Sequence, residues 1–406
     1  MKIIKDKKRI DEILERGVIA EILPDKKQLR NKLLSGERLS FYLGADPTAP
    51  ALHLGHAQNL MLLEDLRKLG HKVIFLIGDF TGMIGDPTDK SATRQKLSSE
   101  KVKENFSDWK NQIKNILNFD DKENPVEIRF NSEWLGKLSF AEILELASNF
   151  TVQQMLERDM FEKRIKNQKP VYLHEFLYPL MQGYDSVVLD VDAELCGTDQ
   201  IFNALAGRTL MQKLKKKEKF IIATNLIADE KTGELMSKSN GTGVFLNLSP
   251  NDLFGAIMAQ SDGMIKPLLI GCTRISLKEI KEILQLKNPR DAKIRLAKEI
   301  VKIFHGKELA QKAEQYFIAT FSKKQLPSQI DLFSINETQI KLIDFLVKAH
   351  LAQSKSEARR KIEQGGVKIN QKKVTQFDFI LTQKNNQKDV IQVGKKNFKK
   401  IFFGKN

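Results

Sequence analysis

Apolar positions along the chain fall first into short alternating runs and then into helical spacing, and that succession repeats. Leu39, Phe41 and Leu43 alternate with Ser40 and Tyr42, the pattern of a half-buried strand. Leu60, Leu63 and Leu66 follow at near-helical steps until Gly70 ends the run, and residues 73–77 form a continuous apolar stretch suited to a strand buried on both faces. Residues 1–37 read as charged helices leading into this strand–helix–strand unit. Beyond it, Val102, Phe106, Trp109, Ile113 and Leu117 recur at steps of three or four and predict one amphipathic helix beginning near Ser98. Val126, Ile128 and Phe130 alternate as a further strand, and the pairs Ser139 with Glu142 and Thr151 with Gln154 have the spacing of capping boxes. Residues 187–191 read as a strand, 201–214 as a helix and 220–224 as another strand. The alternation predicts an α/β, doubly wound parallel sheet over residues 1–248.

From Ser249 the texture becomes purely helical. Ser249-Pro250-Asn251-Asp252 and Asn288-Pro289-Arg290-Asp291 are helix starts, and His305-Gly306 is a stop. Residues 249–321 are therefore expected to be an α-helical domain, and 322–339 a linker around Pro327. In the last segment, 340–406, a helix runs through Leu342, Phe345, Leu346 and Ala349. Ser354 and Glu357 open a second helix that ends near Gly365-Gly366, and residues 367–374 read as a hairpin. A small α+β domain is expected there.

Charge sharpens the picture of that tail. The 406-residue chain has a formal charge of +16, and residues 341–406 alone hold 16 Lys and Arg against 5 Asp and Glu. A basic block that also carries apolar periodicity is a folded module facing a polyanion, with nucleic acid as the expected partner. No run approaches the roughly 18 apolar residues of a membrane span, and the N-terminus lacks the apolar region of a signal peptide, so a cytoplasmic protein without membrane contact is expected. Two cysteines, Cys196 and Cys272, are too few for a thiolate zinc site and read as reduced and structural. No structural metal is expected.

The candidate chemistry sits at turns. Residues 46–56 (DPTAPALHLGH) join the first strand to its helix, where free backbone N–H groups and a partial positive charge favour a phosphate. His53 and His56 can hydrogen-bond polyphosphate oxygens, and Gly55 lets a ligand come close; the pair reads also as ordinary turn residues or as half of a metal site. A glycine-rich loop over 78–90 follows the second strand, with Lys90 and Arg94 as cations. Tyr178, Gln182 and Asp185 lie at i, i+4 and i+7 on one helix face, fit for an internal polar network or a small polar ligand. Lys238 sits in a loop of small and polar residues, from which a lysine can swing onto a polyphosphate.

Residues 47–56 resemble the first signature of class I aminoacyl-tRNA synthetases, and 235–239 (LMSKS) resemble the second, about 180 residues downstream. The residues between them resemble bacterial tyrosyl-tRNA synthetases, and the tail is similar to the small S-four-type RNA-binding domain. The resemblance implies a Rossmann-like catalytic domain, an anticodon-binding helical domain and a homodimer. It implies a tyrosine–tRNA ligase that uses ATP with Mg²⁺ to form tyrosyl-adenylate and passes the acyl group to the 3′ end of tRNA(Tyr). By the same resemblance Tyr42 and Asp185 bind the hydroxyl of L-tyrosine, Asp86, Tyr178 and Gln182 its ammonium, and Gln200 lies beside it. Gly44, Asp46, Gly55, Asp199, Met236, Ser237 and Ser239 lie along ATP, while Thr48, His53, His56, Lys90, Arg94 and Lys238 stabilise charge growing on the phosphates. Arg359, Arg360, Lys361, Lys368, Lys372 and Lys373 are the expected RNA phosphate contacts.

Two positions depart from the family pattern. Leu235 stands where the second signature usually has a lysine, and Cys196 replaces a glycine before the Gly-Thr-Asp-Gln turn. Leu235 leaves open a catalytically weak RNA-binding protein derived from a synthetase. A nucleotidyltransferase that needs no RNA is a third possibility, against which the basic tail argues. Among the synthetases the tryptophanyl enzyme is the nearest rival, and Tyr42 with Asp185 speaks for a hydroxyl over an indole.

Overall fold

A computed structural model describes residues 2–87, 97–237, 241–322, 330–382, 389–394 and 397–403. The chain divides into two compact units, Met1–Glu314 and Gln315–Asn406. In the first, six strands form one sheet: β1 (Ile19–Leu23), β2 (Ser40–Ala45), β3 (Lys72–Ile77), β4 (Glu127–Phe130), β5 (Ala193–Gly197) and β6 (Phe220–Thr224), in the order β1-β6-β5-β2-β3-β4. All neighbours run parallel except β1, which is antiparallel to β6. From β2 the chain moves outward through β3 to β4, then returns to place β5 on the other side of β2. That reversal leaves a crevice outside the carboxyl ends of β2 and β5, where doubly wound folds bind their ligands.

Several expectations are corrected here. Residues 187–191 are no strand: the helix Leu173–Leu189 runs through them and ends at Asp190, whose φ of 49° is left-handed. In the apolar run Val187 and Val191 are buried while Val188 is exposed, and the strand, β5, begins only at Ala193. The single helix expected from Ser98 is two short ones, Ser99–Phe106 and Trp109–Ile113, because the chain turns at Ser107-Asp108. β2 is buried on both faces, Tyr42 included, since helices cover a central parallel strand on each side. β1 was hidden among charged residues, as only its partner β6 gives it a sheet to join. The helix predicted over 201–214 is α-helical through Leu210 and continues as a π turn, Met211–Lys215.

The helices after Ser249 begin with Pro250–Met258, capped by the Ser249 side chain on Asp252 N–H, and include Ile265–Cys272 and Pro289–His305. Helix Ile265–Cys272 packs on helix Leu54–Lys68, and Arg16 donates to the carbonyls of Ile270, Thr273 and Ile275. These contacts make the helical stretch part of the first compact unit. Cys196 and Cys272 are buried free thiols.

The second unit has its own core around Leu342, Phe345, Leu346, Ile362, Val367 and Ile391. Five strands lie in the order β10-β9-β12-β13-β7, where β7 is Leu332–Ile335, β9 Val367–Ile369, β10 Lys372–Val374, β12 Val390–Val393 and β13 Asn397–Phe403. A smaller pair joins β8 (Gln339–Lys341) to β11 (Ile380–Thr382). The stretch taken as linker thus contains β7, which pairs with β13, far along the chain. The β9–β10 hairpin turns at Asn370 and Gln371, both with positive φ.

Candidate active site

The turn after β2 is held by side chains from the two short helices beneath it. Asn105 Nδ2 donates to Pro47 O, Trp109 Nε1 to Ala49 O and Gln112 Nε2 to Pro50 O, while Gln112 Oε1 accepts from Leu52 N. These polar residues ride on the apolar stripe that marks the helices, so hydrophobic periodicity alone does not single them out. On its other side the turn pairs with the segment that follows the LMSKS residues: Leu54 N donates to Val244 O and Leu246 N to Leu52 O. The first signature is therefore laddered to residues 244–246, a few positions after the second.

His53 caps the helix Leu54–Lys68. Its Nδ1 accepts from Gly55 N at 3.1 Å, and His56 Nδ1 accepts from His53 N at 3.2 Å. With both Nδ1 atoms occupied as acceptors, each neutral ring carries its proton on Nε2. Burial lowers His53 to about 4 and, with His53 adding to the effect, His56 to about 3. Both are neutral N–H donors at physiological pH. Gly55 is required by this arrangement, since a Cβ there would lie 2.8 Å from His53 Cε1.

Deeper in the crevice the expected amino-acid residues lie in two sets of polar contacts. Tyr178 donates to Asp46 Oδ2 at 2.8 Å, and Thr81 Oγ1 donates to Asp46 Oδ1 at 2.7 Å. Asn131 Nδ2 reaches both Thr81 Oγ1 and Asp185 Oδ2, and Trp134 Nε1 donates to Asp185 Oδ1 at 2.8 Å. Burial pushes the Asp185 carboxyl well above the usual carboxylate range, against the pull of the Trp134 and Asn131 donors. Burial likewise raises Tyr42 and Tyr178, with nearby carboxylates adding to it, so both remain phenols. Gln200 Nε2 donates to Asp86 Oδ2 at 2.6 Å, and Arg158 lies 3.3 Å from Asp86 Oδ1, its guanidinium near the Phe161 and Phe202 rings. Asn203 Nδ2 donates to the side-chain carbonyls of Gln182 and Gln200.

Asp46, placed along the nucleotide by resemblance, meets Tyr178 of the amino-acid set, so the two groups of residues touch. Thr48 is held at the head of the turn by its N–H to Asp46 O, and Gly44 is exposed at the end of β2. Asp199 is exposed and accepts from Gln200. Met236 is buried, with its N–H on Ile227 O, and Ser237 N donates to Thr242 Oγ1. Leu235 is half-buried and forms a bridge with Ala228. Lys90, Arg94, Lys238 and Ser239 lie outside the described residues. Asn131, Trp134, Thr81, Arg158 and Asn203 are residues that sequence reasoning missed. Among the described residues no three His, Cys, Asp or Glu side chains are grouped to hold a metal ion, and no helix is long and apolar enough to cross a membrane.

In the second unit Arg359, Arg360, Lys372 and Lys373 are exposed, while Lys368 is half-buried. Lys361 is occupied by Glu357 and Leu351 O, and the Arg359 guanidinium lies 4.3 Å from the centre of the Phe377 ring.

Residues 34–322 match the family model of class I tRNA synthetases (W and Y), and 322–401 match that of the tyrosine–tRNA ligase SYY-like C-terminal domain. The chain is 44% identical to tyrosine–tRNA ligase 2 of Clostridium acetobutylicum, with 97% of this chain and 99% of that protein covered. It is 42% identical to the tyrosine–tRNA ligase of Carboxydothermus hydrogenoformans, with 99% and 100% covered. The C-terminally truncated mitochondrial tyrosyl-tRNA synthetase of Aspergillus nidulans superposes with a TM-score of 0.64 at 25% identity, covering 76% of this chain and 92% of its own. The chain belongs to the class I tRNA synthetases of the W and Y family and, within it, to the tyrosine–tRNA ligases.

Proposed function

We infer that this chain activates L-tyrosine with ATP and transfers the tyrosyl group to the 3′ end of tRNA(Tyr). The observation that carries this reading is a buried carboxyl, Asp185, and a buried phenol, Tyr42, close enough for the charge of one to act on the other. A tyrosine hydroxyl satisfies such groups, whereas phenylalanine leaves them unpaired in a dry site. In the first step a tyrosine carboxylate oxygen attacks the α-phosphorus, the bond to the bridging oxygen breaks and pyrophosphate leaves. A terminal ribose hydroxyl of the tRNA then attacks the carbonyl carbon and AMP departs.

Asp86, Tyr178 and Gln182 are assigned to the ammonium, with Gln200 beside the substrate. Gly44, Asp46, Gly55, Asp199, Met236, Ser237 and Ser239 are assigned to the nucleotide. The Nε2–H groups of His53 and His56, with Thr48, Lys90, Arg94 and Lys238, are assigned to the growing phosphate charge. ATP would enter with Mg²⁺, which would add positive charge where the phosphate charge grows. Residues 1–248 form the catalytic part, 249–314 the anticodon-binding helices and the second unit, with β7 in its sheet, the RNA-binding part, with Arg359, Arg360, Lys361, Lys368, Lys372 and Lys373 facing phosphates. A cytoplasmic homodimer completes the proposal. In support of the dimer, Phe140, Val152 and Leu173, each near the start of its helix, put large apolar side chains in water at 74%, 68% and 83% exposure, and a second copy would cover such groups.

Pyrophosphate exchange into ATP with tyrosine, phenylalanine and tryptophan, on wild type and Asp185→Ala, tests the reading. Exchange with tyrosine alone, lost or relaxed toward phenylalanine in the variant, is expected. A folded wild type that exchanges with none of the three would overturn it.

A further inference from the structure

We propose that Lys219 is a positioning residue for tyrosine recognition, acting through Ser186 and Glu194 on Tyr42 and Gln182; this rests on the pocket assignment above. Lys219 immediately precedes β6 and is 0% exposed, and its partner Glu194 in β5 is 2% exposed. The ammonium donates to Glu194 Oε2 and to Ser186 Oγ, the latter at 2.9 Å. Room for it exists only because residue 207 is glycine: a Cβ there would lie 2.6 Å from Lys219 Nζ. A buried charge so enclosed costs much to desolvate unless its geometry is used.

The network has a direction that the lysine imposes. Lys219 has only protons to give, so Ser186 Oγ must accept from it. The Ser186 hydroxyl proton then has two possible acceptors, Tyr42 O at 2.9 Å and Glu194 Oε2 at 3.5 Å, and the shorter contact wins. With Ser186 donating to Tyr42, the phenol proton of Tyr42 is directed away from Ser186, toward Glu194, with which Tyr42 also hydrogen-bonds, or toward a substrate hydroxyl oxygen that takes that place. Tyr42 and Glu194 face one another directly across the β2–β5 pairing, which keeps the phenol beside the carboxylate that Lys219 holds. On its other oxygen Glu194 accepts from Gln182 Nε2 at 2.8 Å, while Asn203 donates to Gln182 Oε1 at 2.9 Å. The amide is thereby fixed at both ends, with its carbonyl lone pairs turned away from Glu194 for an ammonium. One lysine thus sets the donor or acceptor sense of groups at both ends of the amino acid.

Lys219→Met keeps the length of the side chain and removes the donor; Ser186→Ala cuts the link to Tyr42 while leaving the ion pair in place. In pyrophosphate exchange on the full chain, each variant is expected to raise KM for tyrosine at least about tenfold. The KM for ATP and kcat should stay within about threefold, and the tyrosine-to-phenylalanine ratio of kcat/KM should fall by the same factor as the tyrosine KM rises. The double variant should be no worse than the single ones, because both lie on one chain of donors. Unchanged tyrosine KM and selectivity in Ser186→Ala, which tests the link even if Lys219→Met does not fold, overturns the proposal, as do multiplying effects in the double variant. Absence of tyrosine exchange in wild type would instead be a failure of the parent reading.

Discussion

The Trp134 indole donates to Asp185 Oδ1 at 2.8 Å, and this bond turns a buried carboxyl into an oriented one. Trp134→Phe keeps the ring packed against Tyr42 and Val191 but leaves that oxygen without its donor. The expected cost is about 1–3 kcal/mol, or roughly 10- to 100-fold in kcat/KM for tyrosine. Steady-state exchange kinetics with tyrosine and phenylalanine check it. An unchanged value for tyrosine would mean that the orientation of Asp185 does not matter to binding.

Gly55→Ala should separate stability from activity. Alanine gains at most the roughly 0.5–1 kcal/mol it holds over glycine in a helix interior, and displacing the His53 cap gives up about as much, so the unfolding midpoint should change little. Its Cβ must displace the His53 ring, 2.8–2.9 Å away, and with it the Nε2–H assigned to phosphate. A fall of about 10- to 100-fold in the rate of adenylate formation is expected, with the tyrosine KM little changed. Urea unfolding and single-turnover adenylate formation, run on the same preparation, read both sides.

The two signature histidines predict a sign for the pH dependence of stability. Above about 6.5 they are neutral in both folded and unfolded chains and contribute no slope. As pH falls from 6.5 toward 4, the unfolded chain takes up protons that His53, about 4, and His56, about 3, refuse in the fold. Stability should therefore decline with falling pH through that window, and His71, also lowered to about 4 by burial, adds to the decline. Imidazole resonances of His53 and His56 that stay fixed down to pH 5, with a urea midpoint that drops between pH 7 and 5, are the expected results. A histidine titrating near 6.5 at either position would contradict the buried, neutral pair.

On the second unit, Arg360→Ala combined with Lys372→Ala and Lys373→Ala should weaken tRNA use and leave amino-acid activation alone. If each side chain neutralises one phosphate, the slope of log KM for tRNA against log salt should shrink by roughly 0.7–0.9 per contact removed. Lys361→Ala should do less to that slope, because Glu357 and the Leu351 carbonyl already hold the ammonium. Aminoacylation at several salt concentrations, beside pyrophosphate exchange without tRNA, distinguishes the two effects.

The signature turn was legible because its polar residues are contiguous and lie between a strand pattern and a helix pattern. Tyr178, Gln182 and Asp185 were legible as a face by their spacing. Trp134, Asn131 and Arg158 were not, since each lies in a segment whose local pattern is unremarked and meets the pocket only through tertiary packing. The run at 187–191 misled because apolar continuity is common to a buried strand and the last buried turn of a helix; the left-handed Asp190 that decides between them leaves no strong mark in sequence. β1 and β7 escaped for a related reason: each is short, and its evidence is a distant partner, β6 or β13. Glu194 and Lys219 did leave a signal, two opposite charges flanked by Ala193, Leu195 and Phe220 in strand-like runs.

The short ladder that ties Leu52 and Leu54 to Val244 and Leu246 is made of backbone groups alone. Side-chain exchange at Asn131, Trp134, Asp185 or Ser186 therefore leaves its bonds formally untouched. The amino-acid end of the pocket is thus set by side chains, whereas the segments that carry the side chains assigned to the phosphates are fastened to their neighbours by main chain. An effort to admit a modified tyrosine can mutate the first extensively while the scaffold beside the triphosphate is inherited unchanged.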